Sequence, residues 1–298
     1  MEFLLTFFFV CILAFNSSSA FPIPGKVPFL SFKESFSTIF GDQNLHLLDS
    51  NGKSVQISLT KSSGSGFKSR NLYTNAFFSA SIKLPANYAA GVVVAFYTSN
   101  ADVFKTNHDE IDFEFLGNVE GKEWLVQTNF FGNESMQRGR EERYKLWFDP
   151  THDFHSYSIL WNRNWIIFYV DDVPIRHVRR VDAMGGDFPT KPMSLYATIW
   201  DGSDWATDGG KHKINYGFAP FKADFTKFVI HGNGCSADQI QHCQNNAYVP
   251  NFVRKFNGLK PNEFSKMKEF RKKHTIYSYC EDKRRYSTAL PECTRSRK

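Results

Sequence analysis

The sequence predicts an all-β protein built as a sandwich of antiparallel sheets. Three observations carry this. Between about residue 29 and residue 232, short runs of four to eight residues alternate in polarity and are separated by turn signals. Long amphipathic helical patterns are absent from that stretch. The turns are also closely spaced, as antiparallel connections require. The runs are 45–48, 55–59, 76–84, 91–97, 111–116, 124–130, 156–161, 165–170, 193–200 and 225–231. Asn162-Arg163-Asn164 is expected to close one hairpin, and Asp171-Asp172 to turn the chain again before Val173-Pro174.

The 298-residue chain opens with an apolar run from Phe3 to Phe15, followed by Ser18-Ser19-Ala20. This is the pattern of a signal peptide, 1–20, cut before Phe21. A membrane span needs roughly 20 apolar residues, and this run is interrupted by Asn16 and the serines. Removal leaves 278 residues, room for one large β domain (21–232) and a C-terminal extension (233–298). The formal net charge is +6, and loss of Glu2 raises it to +7.

Cys11 leaves with the signal segment. Cys235, Cys243, Cys280 and Cys293 remain, all in the last quarter. Four cysteines in an exported chain read as two disulfides. Three pairings are open, of which Cys235–Cys243 with Cys280–Cys293 is the simplest. No C-x-x-C spacing offers a zinc site. Residues 254–298 hold 14 Lys/Arg against five Asp/Glu, so the extension is strongly basic. Residues 262–273 are expected to form a helix within it, with Pro261 just before. Export and disulfides argue against nucleic acid, and attraction to anionic wall polymers is the better use of the charge.

The chemistry is concentrated in His108-Asp109-Glu110-Ile111-Asp112-Phe113-Glu114-Phe115-Leu116. Strand alternation gives one face His108, Glu110, Asp112 and Glu114, and gives the other Ile111, Phe113 and Phe115. A row of like charges on a half-buried surface repels itself and spreads its pKa values. Stability gains nothing from such an arrangement, which marks it as functional. Two carboxylates held in different protonation states are what glycoside cleavage needs. A calcium loop would require turn backbone and glycine, which this stretch lacks. No metal or cofactor is therefore expected.

Residues 108–117, His-Asp-Glu-Ile-Asp-Phe-Glu-Phe-Leu-Gly, resemble the active-site strand of the plant xyloglucan endotransglucosylase/hydrolases of glycoside hydrolase family 16. The likeness extends to Gln127-Thr128-Asn129, to Arg140–Pro150, to Trp200 with Trp205-Ala206-Thr207, and to the four tail cysteines. It implies a β-jelly-roll sandwich with an open cleft. It also implies Glu110 as nucleophile, Asp112 as helper and Glu114 as general acid/base. His108, Gln127, Asn129, Arg140, Trp200, Trp205, Gly209, Tyr277 and Arg285 are the expected cleft positions.

The family's usual glycosylation sequon after the motif is missing, since Asn118-Val119-Glu120 is not one. Asn133-Glu134-Ser135 is the remaining candidate. The implied activity is cleavage of the xyloglucan backbone with retention and transfer to a second xyloglucan chain, in the apoplast, by a monomer. A xyloglucan endohydrolase and a non-catalytic wall lectin are the alternatives. Hydrolase-leaning relatives carry a longer loop near Trp200, and here 194–200 runs straight into Asp201, which favours transfer.

Overall fold

The structure is a computed structural model that describes residues 27–241, 243 and 250–294. The expected signal peptide lies outside the described residues.

Two antiparallel sheets form the body. Numbered in chain order, the strands of the front sheet are, across the sheet, β1 (Phe36–Phe40), β4 (Ser65–Ser69), β14 (Ser194–Asp201), β7 (Val92–Ser99), β8 (Glu110–Leu116), β9 (Leu125–Phe131), β10 (Glu142–Lys145) and β17 (Thr275–Ser278). The back sheet runs β13 (Val173–Arg179), β12 (Trp165–Val170), β11 (His155–Trp161), β6 (Ala76–Lys83), β15 (Phe221–His231), β3 (Ser54–Leu59) and β2 (Leu45–Leu47). A small ribbon pairs β5 (Leu72–Tyr73) with β16 (Gly234–Cys235). Three α-helices are described: α1 (Phe32–Ser35), α2 (Asn251–Lys255) and α3 (Pro261–His274).

Inward side chains from both sheets make the core. Beneath β8, Ile111, Phe113 and Phe115 are fully buried. Phe113 meets Phe168 of β12 edge-on at 5.1 Å, and Phe115 meets Tyr157 of β11 at 4.6 Å. A second group, Phe36, Phe67, Phe225 and Phe228, fills the far end. Much of the high Phe content is thus core aromatic packing between sheets.

Each expected run coincides with a strand, and most ends agree to within two residues; β15 begins earlier, at Phe221. Asn162-Arg163-Asn164 joins β11 to β12, and Asp171-Asp172 joins β12 to β13 with φ of 45° and 63°. Two positive φ values match the right-handed twist of a tight hairpin, and Asp tolerates them. Seven further strands carry weak sequence signals. Ser65–Ser69 is polar and glycine-bearing, yet lies between β1 and β14 with Phe67 fully buried. Glu142–Lys145 looks like a surface loop because three of its four residues are charged. It is a strand because Glu142 and Tyr144 turn inward, at 3% and 0% exposure.

The extension does more than dock. β17 pairs with β10 and completes the front sheet. Cys235–Cys243 and Cys280–Cys293 are the disulfides, the simplest of the three pairings. One buried carboxylate gathers several of the contacts that hold the extension. Glu142 accepts from Arg271 of α3 at 2.5 and 2.8 Å and from Ser278 of β17 at 2.7 Å, with Arg176 of β13 at 3.5 Å. Burial alone would raise its pKa, but Arg176 and Arg271 outweigh that and bring it to about 2.

A carboxyl held below its ordinary value stabilises the fold above that value. The contribution is full above about 4.5 and is lost as the pH falls towards 2. Arg271→Met, which leaves Glu142 undercompensated, is expected to cost roughly 3–5 kcal/mol. The readout is the urea midpoint at neutral pH, with earlier proteolytic release of the extension. An unchanged midpoint would show that this ion cluster does not hold the extension.

Candidate active site

Strand β8 sits near the middle of the front sheet, and its outer face bears Glu110, Asp112 and Glu114. Register sets their neighbours. Ser99, Tyr97 and Ala95 stand opposite them on β7; Phe131, Asn129 and Gln127 stand opposite them on β9. The three acids and His108 line a cleft of about 540 Å³ whose walls include Tyr97, Phe131 and Trp200.

Burial dominates the electrostatics. Glu110 is raised to about 7, chiefly by loss of solvent, with the Glu114 charge adding and a Ser99 hydrogen bond opposing. Asp112 is driven well above its usual value by burial, then by Glu110 and Glu114. Glu114 is also raised by burial, with Glu141 adding, while a Gln127 hydrogen bond and the Arg143 charge lower it. Three carboxyls this close titrate as one group, so near neutrality the set retains protons.

Glu114 is held by a short chain. Gln127 Nε2 donates to Glu114 Oε2 at 2.5 Å, and Arg143 Nε donates to Gln127 Oε1 at 2.6 Å. Because the guanidinium occupies the amide oxygen, the amide N–H must face the carboxylate. The Arg143 guanidinium lies over the Tyr277 ring at 5.9 Å. Tyr277 donates to Asp282 at 3.0 Å, and Arg285 pairs with Glu141 at 2.7 Å. The extension thus packs against Arg143 and Glu141 beside the cleft, while Tyr277 and Arg285, expected in the cleft, are not among the residues that line it.

Arg140 corrects the expectation drawn from the sequence. Its side chain is 0% exposed and donates to Glu292 at 2.5 Å and Asp187 at 2.9 Å, with the Phe130 ring 5.2 Å away. It sits outside the cleft. Its backbone N–H does serve the site, donating to Asn129 Oδ1 at 2.9 Å. The arginine on the cleft face is Arg143, three residues on, where β10 alternation turns it outward beside Gln127. Reading 142–145 as a strand would have found it. Glu141, Tyr97, Phe40 and Met136 also line the cleft and were not expected; the alternation within 91–97 was the available signal for Tyr97.

Trp200 closes the end of β14, with Trp205 tilted 40° to it at 6.0 Å. The loop bearing Trp205 is sewn to the sheet by Thr207, which is 3% exposed. Its Oγ1 accepts from Gly91 N at 2.8 Å and donates to Gly117 O at 2.7 Å. Gly91 has φ +77°, and a Cβ there would meet Ile214 N at 2.6 Å, so only glycine fits. Gly209, further along the loop, is exposed and open. Asn133 is exposed, with its amide oxygen accepting from Lys191 at 2.7 Å. Among the described residues, no cluster of three His, Cys, Asp or Glu could hold a metal ion. No described helix is long and apolar enough to cross a membrane.

Two expectations follow. Thr207→Val leaves a buried N–H and C=O unpaired, and should cost about 2–4 kcal/mol and weaken substrate affinity through Trp205. Thermal melts with KM measurements check this. Glu110→Gln removes a carboxyl whose folded-state pKa is raised. The wild type is penalised once pH passes about 4.5, and fully so above about 7. The variant's stability gain should therefore grow across that window and then level off, as followed by melts from pH 4 to 8. A gain of opposite slope would contradict the raised pKa.

The family profile for Glycosyl hydrolases family 16 matches residues 32–217, and that for the Xyloglucan endo-transglycosylase (XET) C-terminus matches 244–293. Two Arabidopsis thaliana proteins are similar over 271 residues, 90% of this chain and 80% of theirs. "Probable xyloglucan endotransglucosylase/hydrolase protein 28" is 55% identical and "Probable xyloglucan endotransglucosylase/hydrolase protein 27" is 56% identical. Among solved structures, an endo-beta-1,3-glucanase from Pyrococcus furiosus shares the fold, with TM-score 0.54 and 20% identity over 70% of this chain and 92% of that one. With its three-acid strand set in a jelly-roll sandwich and its extension matched as well, the chain belongs to glycosyl hydrolase family 16, among the xyloglucan endotransglucosylase/hydrolases.

Proposed function

We propose that this enzyme cleaves the β-1,4-glucan backbone of xyloglucan with retention and passes the cleaved chain to a second xyloglucan. The observation that carries the reading is the row Glu110, Asp112 and Glu114 on one cleft face, with the last acid held through Gln127 and Arg143. In the first half-reaction a Glu110 oxygen attacks the anomeric carbon. The glycosidic C–O bond breaks, and the Glu114 proton goes to the departing oxygen. In the second half an acceptor hydroxyl gives its proton to Glu114 while its oxygen displaces Glu110 from the sugar. Water in place of that hydroxyl gives hydrolysis.

The electrostatics supports this division of labour. The set cannot ionise completely near neutrality, so a proton is available to Glu114 when Glu110 is the group that gives one up. Asp112, between them, is the helper that tunes Glu110. The amide donor on Glu114 and the nearby Arg143 keep its anionic form accessible, which the second half-reaction needs. His108, Asn129, Trp200 and Trp205 are proposed sugar contacts on the cleft floor. Arg143, Tyr277 and Arg285 are proposed contacts for a longer chain that runs beyond the cleft over the outer face of β10 and β17.

The same reading makes residues 1–20 a cleaved signal peptide, 21–232 the catalytic domain and 233–298 its extension. It makes Asn133 a glycan acceptor and the mature chain a monomer of the plant cell wall.

Xyloglucan mixed with a labelled xyloglucan oligosaccharide tests the proposal. Label should move into polymer. Falling polymer size with new reducing ends and no label uptake would replace transfer by hydrolysis. Glu110→Ala should abolish both outcomes while polysaccharide binding persists. Glu114→Gln should slow turnover by roughly 10²–10⁴-fold. Full turnover by Glu110→Ala would sink the assignment.

A further inference from the structure

A second hollow, of about 720 Å³, lies between the start of β12, the end of β13 and the C-terminal extension. It is larger than the catalytic cleft and shares no residue with it. Asn164, Trp165, Arg179 and Arg180 form one wall; Asn257 and Thr294 come from the extension. A neighbouring hollow of about 520 Å³ runs under α3 and shares Trp165 and Arg179 with the first. The two make one continuous depression along β13.

Its exposed rim is aromatic and cationic; Glu142, Glu281 and Glu292 also line the smaller hollow, where Glu142 is paired with Arg271 and Glu292 with Arg140. Arg179 lies over the Trp165 ring at 5.5 Å, Arg180 over Phe188 at 5.7 Å, and the Lys268 ammonium over Phe264 at 4.7 Å. All three cations are exposed. Among the described residues none has a carboxylate within ion-pair distance. Other cations of this region are already matched: Arg271 by Glu142 and Lys273 by Glu269. Stacking on rings holds the guanidinium planes in place while their N–H edges stay available. Trp165 Nε1 and His177 Nε2 are buried and lack a hydrogen-bond partner. Asp182 is the one carboxylate lining the larger hollow, against two arginines.

We propose that this depression is a second carbohydrate site, which takes an anionic chain of uronic acids. Carboxylates would be recognised by Arg179, Arg180 and Lys268. Sugar faces would meet the exposed Phe264 ring. Planar guanidinium forks suit carboxylates, and an exposed aromatic ring suits a sugar face. The occupant is an acidic polysaccharide because the site combines both features. The inference rests on the reading of the chain as a wall enzyme. It gives the enzyme a means of staying on an acidic matrix while its cleft works on a neutral polymer.

Affinity electrophoresis of the mature chain in gels containing polygalacturonate tests it, with fully methyl-esterified polygalacturonate and inorganic polyphosphate as comparisons. Polygalacturonate should retard the protein, and the ester should bind at least about tenfold more weakly. Arg179→Ala with Arg180→Ala should weaken retardation by about tenfold or more, and so should Lys268→Glu, an exposed helix change that spares packing. Xyloglucan turnover should stay within about twofold in both variants, which shows that they fold. Absence of retardation at low salt, retardation unchanged in both variants, or equal retardation by polyphosphate would overturn the site. A wild type that binds polygalacturonate but does not turn over xyloglucan would overturn the proposed activity and leave this site standing.

Discussion

Strand β8 must satisfy two opposite environments at once, and the molecule is arranged around that constraint. Its inner face, Ile111, Phe113 and Phe115, is fully buried against the back sheet. Its outer face holds three carboxyls that repel one another in a half-dry cleft. The inner face anchors the outer one. Aromatic contacts from Phe168 and Tyr157 fix the strand rigidly enough for the acids to be held close despite their repulsion. Neighbours on β7 and β9 complete the arrangement with side chains already in register.

The C-terminal extension solves a different problem. Without β17, strand β10 would be an open edge beside the cleft. Covering it requires fastening a strongly basic segment to the sandwich. One fastening is Glu142, whose buried charge is worth its desolvation only because Arg176 and Arg271 approach it from the back sheet and from α3; the buried Arg140–Glu292 pair is another. The same stroke places Tyr277 against Arg143 and so reaches, through Gln127, to Glu114. Fold closure and the environment of the proposed acid/base are thus mechanically linked.

Much of this was legible in advance where local rules operate. Alternation located most strands and put Glu110, Asp112 and Glu114 on one face, because side-chain direction in a strand depends only on neighbouring residues. Glu142–Lys145 was illegible for the opposite reason. A charged strand is stable only when its partners are present, and those partners lie in β13, α3 and β17, as much as 136 residues away. Missing that strand cost the position of Arg143, while Arg140 had been carried over from the family resemblance alone.

The sequence by itself left the disulfide pairing open among three, but determined the sandwich, the three-acid strand and the basic character of the tail. Each of these follows from residue type and short-range periodicity. Only the tertiary structure decided which arginine faces the cleft, which carboxyls lose enough solvent to hold a proton near pH 7, and that the extension contributes a strand to the catalytic sheet. Those facts depend on burial and on contacts between distant segments. The same is true of the depression along β13. Its cations are visible in the sequence, but their stacking on Trp165, Phe188 and Phe264 exists only once the sheets have packed.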